Sequence, residues 1–199
     1  PADLRAAGEL AFLSAHEDDP FARYEAMQEL MVGALTEAVA SGALDSGPVI
    51  AAVRNAVTNL ALDDAFIAET VRLPSEAYIG DQMLVVDPDA IHAAREELQA
   101  AIGTELEPLW RDLHARARRD VFALSPEDKG ARKLRNVALT YLMASGADDA
   151  CGIALDQFET ASQEPTLGIG AHERQRTSVR LGGLGAAAEP AQQVGARRR

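Results

Sequence analysis

The chain has 199 residues, 47% of them apolar but only 5% aromatic, and a formal net charge of −12. That length holds one domain or a run of helical repeats, with a core that Ala, Leu, Val and Ile must build. The acidity argues against nucleic acid and anionic membrane as partners, and the apolar runs are too short to span a bilayer.

Residues 1–8 form an ambiguous lead-in, after which Leu10, Phe12 and Leu13 predict a short apolar helix ending near His16. Asp19-Pro20 reads as a helix start: the carboxylate can accept from unpaired amides, and proline at the first helical position has no amide to lose. Phe21, Tyr24, Met27, Leu30, Met31, Leu35 and Val39 then recur at three-to-four spacing, and Gly42 stops the helix. Ser46-Gly47-Pro48 opens another, with Ile50, Val53, Val57 and Leu60 on one side. Asp63 begins a helix carrying Phe66, Ile67 and Val71, ended by Leu73-Pro74 because the ring restricts the residue before it. Ser75-Glu76 starts a short one with Tyr78, Ile79 and Met83.

Asp87-Pro88-Asp89 repeats the capping logic and predicts the longest helix, with Ile91, Ala94, Leu98, Ile102, Leu106, Leu109 and Leu113 as its stripe. Carried on to Asp120 it would be about 50 Å long. Pro108 inside it should bend it, since the ring removes a backbone hydrogen bond and crowds the preceding turn. Ser125-Pro126-Glu127-Asp128 caps a further helix with Leu134, Val137, Tyr141 and Leu142 inward and Gly146 as its stop. Asp148-Asp149 leads a last one through Ile153, Leu155 and Phe158. Helices joined by short loops with no strand between them predict an all-α fold of stacked antiparallel hairpins, solenoid-like, without a fixed-period sequence repeat.

Near residue 162 the character changes. Residues 1–161 hold 28 acidic and 13 basic side chains; residues 162–199 hold 3 and 6. This Gly/Ala/Arg-rich tail contains Gly182-Gly183-Leu184-Gly185, ends Arg197-Arg198-Arg199, and reads as disordered. GC-rich codons read out of frame yield such a composition, so the tail suggests a frame-shifted read-through; the competing reading is a real flexible tail whose basic end tethers the protein to an acidic partner. The domain division expected is therefore 1–161 and 162–199.

Chemistry-bearing motifs fail one by one. His172-Glu173-Arg174-Gln175-Arg176 begins like the zinc-protease pattern, but Arg176 stands where a second histidine is needed and would repel the ion. His92 and Glu96 share a helix face, and two ligands are not a site. His16 with Glu17, Asp18 and Asp19 is metal-like in composition, yet Asp19 is better explained as a cap. His114 reads as a surface or partly packed residue. Cys151 beside Gly152 reads as a small core residue rather than a nucleophile, and a lone cysteine, unable to form an internal disulfide, fits a reducing, cytoplasmic setting. Gly168-Ile169-Gly170 lacks the third glycine and preceding strand of a dinucleotide loop. Arg116, Arg118 and Arg119 form a basic cluster where cations complement a helix C-terminus. Trp110 among Leu106, Leu109 and Leu113 reads as core. No catalytic, cofactor-binding or metal-ligating residue is assigned.

A resemblance supplies what these residues do not. Asp19-Pro20-Phe21-Ala22-Arg23-Tyr24-Glu25-Ala26, Leu73-Pro74-Ser75-Glu76, Val85-Val86-Asp87-Pro88-Asp89-Ala90-Ile91, Leu134-Arg135-Asn136 and Gln157-Phe158-Glu159 follow one another as in the bacterial aminopeptidase N family. The chain resembles that alanyl-aminopeptidase type of zinc gluzincin from about Gly8 to Ala161, at the start of the helical C-terminal domain. The resemblance implies a cytoplasmic enzyme, monomeric when full-length, that removes N-terminal residues from peptides with a zinc-activated water. It implies that the metal ligands, the general-base Glu and the amine-binding segment lie upstream. This chain would then be the inactive helical cap of the catalytic chamber and bind no zinc itself. After Ala161 the family's Asn-Met-Thr-Asp stretch is replaced by Ser162-Gln163-Glu164-Pro165. Opening on Pro1, the chain reads as a fragment. The alternative is a stand-alone helical-repeat scaffold that binds a protein partner without enzymatic activity.

Overall fold

A computed structural model describes residues 6–163 except Asp120, with side chains up to Thr160. The chain divides into two units, Pro1–Glu159 and Thr160–Arg199, and the hydrophobic core lies in the first. The expected tail falls almost wholly on residues outside those described. Among the described residues there are nine helices and no strand. They are α1 (Ala7–His16), α2 (Pro20–Ser41), α3 (Gly47–Thr58), α4 (Asp64–Thr70) and α5 (Glu76–Asp81), then α6 (Pro88–Glu105), α7 (Glu107–Arg116), α8 (Pro126–Ala144) and α9 (Ala150–Gln163).

The helix starts are where local chemistry put them. Asp19, Asp63, Ser75, Asp87 and Ser125 each accept a hydrogen bond from an amide of the helix they precede. Each satisfies a donor that the first turn leaves unpaired. At α3 the expectation shifts by one residue: Ser46 makes no cap bond, and Asp45 Oδ1 accepts from Gly47 N at 3.2 Å instead. Gly42 (φ 75°) and Gly146 (φ 73°) take the left-handed conformation that ends α2 and follows α8, one that side chains with a Cβ disfavour.

The long bent helix expected from Asp87 to Asp120 is two helices. Pro108 enters as a first-turn residue of α7, and Leu106 leaves helical geometry at φ −114°, ψ 15°. The ring denies the Thr104 carbonyl its donor and crowds it, and with Leu106 buried in the core one helix ends there and another restarts. The longest helix is consequently α2, with 22 residues.

The helices stack in layers. Helix α1 lies on α2 and α3, α2 reaches α6, and α4, α6 and α7 all pack against α8. Met27, Leu30, Met31 and Leu35 of α2, Leu98 and Ile102 of α6, and Leu134 and Leu142 of α8 form one continuous core. The crossing of α6 on α8 is close. A methyl group on Gly103 would lie 2.4 Å from the Tyr141 carbonyl oxygen, so only glycine permits that approach.

Candidate functional site

The histidines and acids weighed as metal ligands are occupied otherwise. His16 stacks on Phe12 with ring centroids 4.6 Å apart, and Asp19 caps α2 through Phe21 N at 2.9 Å. His92 Nδ1 lies 2.8 Å from Glu76 Oε1, and that hydrogen bond and the carboxylate's charge raise the imidazole's pKa. His114 Nε2 meets Gln157 Oε1 at 2.8 Å; burial holds its pKa below the ordinary value. Among the described residues no group of three His, Cys, Asp or Glu could hold a metal. The stretches His172–Arg176 and Gly168–Gly170 lie outside the described residues.

Two readings divide. Trp110 is core, fully buried, donating from Nε1 to the Ile102 carbonyl at 3.2 Å. Cys151, expected in the core, is exposed, because the buried start of α9 is its neighbour Ala150. Phe21 and Tyr24, expected on the buried stripe of α2, are also exposed (64% and 37%), because the core begins at Ala26. The Arg116, Arg118 and Arg119 cluster ties helices together. Arg116 and Arg119 reach Asp64 at 3.4 and 3.8 Å, Arg119 also reaches Asp128 at 3.5 Å, and Arg118 reaches Asp156 at 3.8 Å. Arg111 adds a bidentate grip on Asp149 at 2.6 and 2.8 Å and a third bond to Glu107. The Arg111 hydrogen bonds hold the Asp149 carboxyl below its ordinary pKa.

Among the recesses of the described residues, two lie one on each side of the α4 C-terminus and share Glu69, Arg72 and Leu73. The larger, of about 840 Å³, runs between α2 and α5, with Phe21, Tyr24 and Tyr78 on its walls beside Glu25 and Glu29. Phe21 and Tyr24, the exposed N-terminal end of the α2 stripe, line it. The smaller, of about 290 Å³, is walled by α4, α6 and α8. It gathers Arg72, Arg95 and Lys133 around Gln99, Asn136 and Thr140, over a floor of Leu73, Val137 and Tyr141. Lys133 Nζ bonds Glu69 Oε1 at 2.5 Å, and that bond, more than the lysine's charge, lowers the carboxyl's pKa. Arg95 is fixed by Nε donating to the Pro74 carbonyl at 3.0 Å. These three cations stand on separate elements, so no local run in the sequence signals them.

Residues 7–171 match the family described as a domain of unknown function, DUF3458_C, with ARM repeats. That match passes Ala161, where the motif resemblance ends. Aminopeptidase N of Haemophilus influenzae is 30% identical over 130 residues, 63% of this chain and 15% of that protein. Aminopeptidase N of Escherichia coli is 29% identical over 77% of this chain and 18% of its own length. That of Caulobacter vibrioides is 31% identical over 75% and 18%. The chain thus spans less than a fifth of each relative. In fold it resembles Legionella pneumophila aminopeptidase A, solved in complex with aspartic acid, at a TM-score of 0.69 and 20% identity over 78% of this chain and 19% of that one. Helical stacking, capped starts and this match agree: the chain belongs to the DUF3458_C family of ARM-repeat domains.

Proposed function

We propose that the chain is the helical cap of a zinc-dependent, cytoplasmic aminopeptidase that removes N-terminal residues from peptides, and that the chain carries no catalytic group itself. The observation that carries this reading is the repeated match to aminopeptidases N at about 30% identity, each over a minor part of its length. The body to Ala161 is assigned to the cap, with the tail beyond it of a different composition. The zinc of such an enzyme does not fit these residues: His92 and Glu76 approach one another, yet the described residues bring no set of three donors together. On this reading the ion and its water belong to another part of the parent, and the cap bounds the space peptides enter. The parent is expected to act as a monomer.

The DNA preceding the codon for Pro1 tests this. An uninterrupted frame encoding two histidines on one helix and a downstream glutamate as zinc ligands is the expected result. A start codon with its own promoter beside Pro1 would favour a stand-alone scaffold instead.

A further inference from the structure

The body is strongly acidic, yet Arg72, Arg95 and Lys133 converge from three elements on one cleft of about 290 Å³. We propose that this cleft binds a small oxyanion, a carboxylate or phosphate group.

The other arginine cluster shows what structural use looks like: Arg116, Arg118 and Arg119 each reach an aspartate on another helix. The cleft differs. The carboxylate on its wall is Glu69, bonded to Lys133 at 2.5 Å and 3.9 Å from Arg72; Glu96, outside the lining, is 3.9 Å from Arg95. One lining carboxylate therefore faces three cations, whereas Arg116, Arg118 and Arg119 share Asp64, Asp128 and Asp156. Arg95 is the anchor: its side chain is 24% exposed, and its Nε bond to Pro74 uses one donor of the fork and leaves the terminal nitrogens for recognition. Gln99 and Asn136 add amide groups, and the apolar floor lowers the local dielectric, which strengthens charge-assisted bonds. A planar guanidinium, an ammonium and neutral donors around a small concave volume suit an oxyanion in both charge and shape. The chemistry stands independently of membership in a peptidase.

The test is ¹⁵N NMR titration of the full chain with N-acetylglycine, N-acetylglycinamide and inorganic phosphate. Saturable shifts at the amides of Leu73, Gln99, Asn136 and Thr140 with N-acetylglycine, absent with the amide, support the proposal and name a carboxylate as the ligand group. The same shifts with phosphate alone support it and name phosphate. Arg95→Gln should weaken the productive anion roughly tenfold, the loss of a charge-assisted bond. Glu69→Gln, which removes a competing carboxylate from an exposed position, should tighten it and keeps the test decisive if the Arg95 variant unfolds. No saturable binding of either anion, or affinity unmoved by Glu69→Gln, overturns it.

Discussion

Trp110 and Tyr141 stack with ring centroids 4.4 Å apart and planes 14° apart, and the polar atom of each donates to a backbone carbonyl. Trp110 Nε1 donates to Ile102 of α6, and the Tyr141 hydroxyl donates to Val71, just past α4, at 2.6 Å. The pair thereby joins α4, α6, α7 and α8 at one point of the core. Burial raises the Tyr141 pKa far above its usual value, so the phenol stays a donor at any ordinary pH.

Tyr141→Phe keeps the stack and removes one hydrogen bond, leaving the Val71 carbonyl unpaired. Urea unfolding followed by circular dichroism should show a loss of about 1–3 kcal/mol. Trp110→Ala, which also empties the space, should cost about 3–5 kcal/mol. A Tyr141→Phe variant as stable as the parent would mean the hydroxyl bond is not made.

Glycine substitutions should split in sign. Gly103→Ala drives a methyl into the α8 backbone at 2.4 Å and should destabilise by roughly 1–3 kcal/mol or prevent folding. Gly33→Ala, in the middle of α2 with nothing within 4 Å of the new carbon, should stabilise by about 0.5–1 kcal/mol. Melting temperatures of the two variants measured side by side check the α6–α8 crossing.

His114 should make the fold acid-sensitive. Burial, opposed by its bond to Gln157, lowers its folded pKa below the ordinary 6.5. Below 6.5 the unfolded chain therefore binds the proton first. The histidine's contribution is present above that value and is lost as pH falls through the folded pKa. His114→Gln should flatten the decline in melting temperature between about pH 7 and about pH 5. An unchanged decline would place the acid sensitivity elsewhere.

What the sequence disclosed depends on how far each interaction reaches. A cap joins a side chain to an amide two or three residues on, so Asp19, Asp63, Ser75, Asp87 and Ser125 were readable from their neighbours alone. Pro108 was visible, but whether it bends or divides a helix depends on what Leu106 packs against, and Leu106 is fully buried. Periodicity placed Phe21 and Tyr24 on the apolar side of α2 without showing that the core stops short of them. The cleft of Arg72, Arg95 and Lys133 was unreadable, since only the packing of α4, α6 and α8 brings those charges together.

The purified chain should leave amino-acid anilides intact and carry no stoichiometric zinc by metal analysis, as expected of a cap whose described residues assemble no ligand set. Chelator-sensitive turnover would show that the catalytic group lies within these 199 residues.

If this helical body works as a minor part of a much larger peptidase, the parent polypeptide should be present in the source cells. An immunoblot with an antibody raised against the α2 segment, Pro20–Ser41, measures this directly. The expected result is a polypeptide several-fold heavier than 21.2 kDa that co-purifies with zinc and chelator-sensitive aminopeptidase activity. A single band near 21.2 kDa, free of both, would contradict that role.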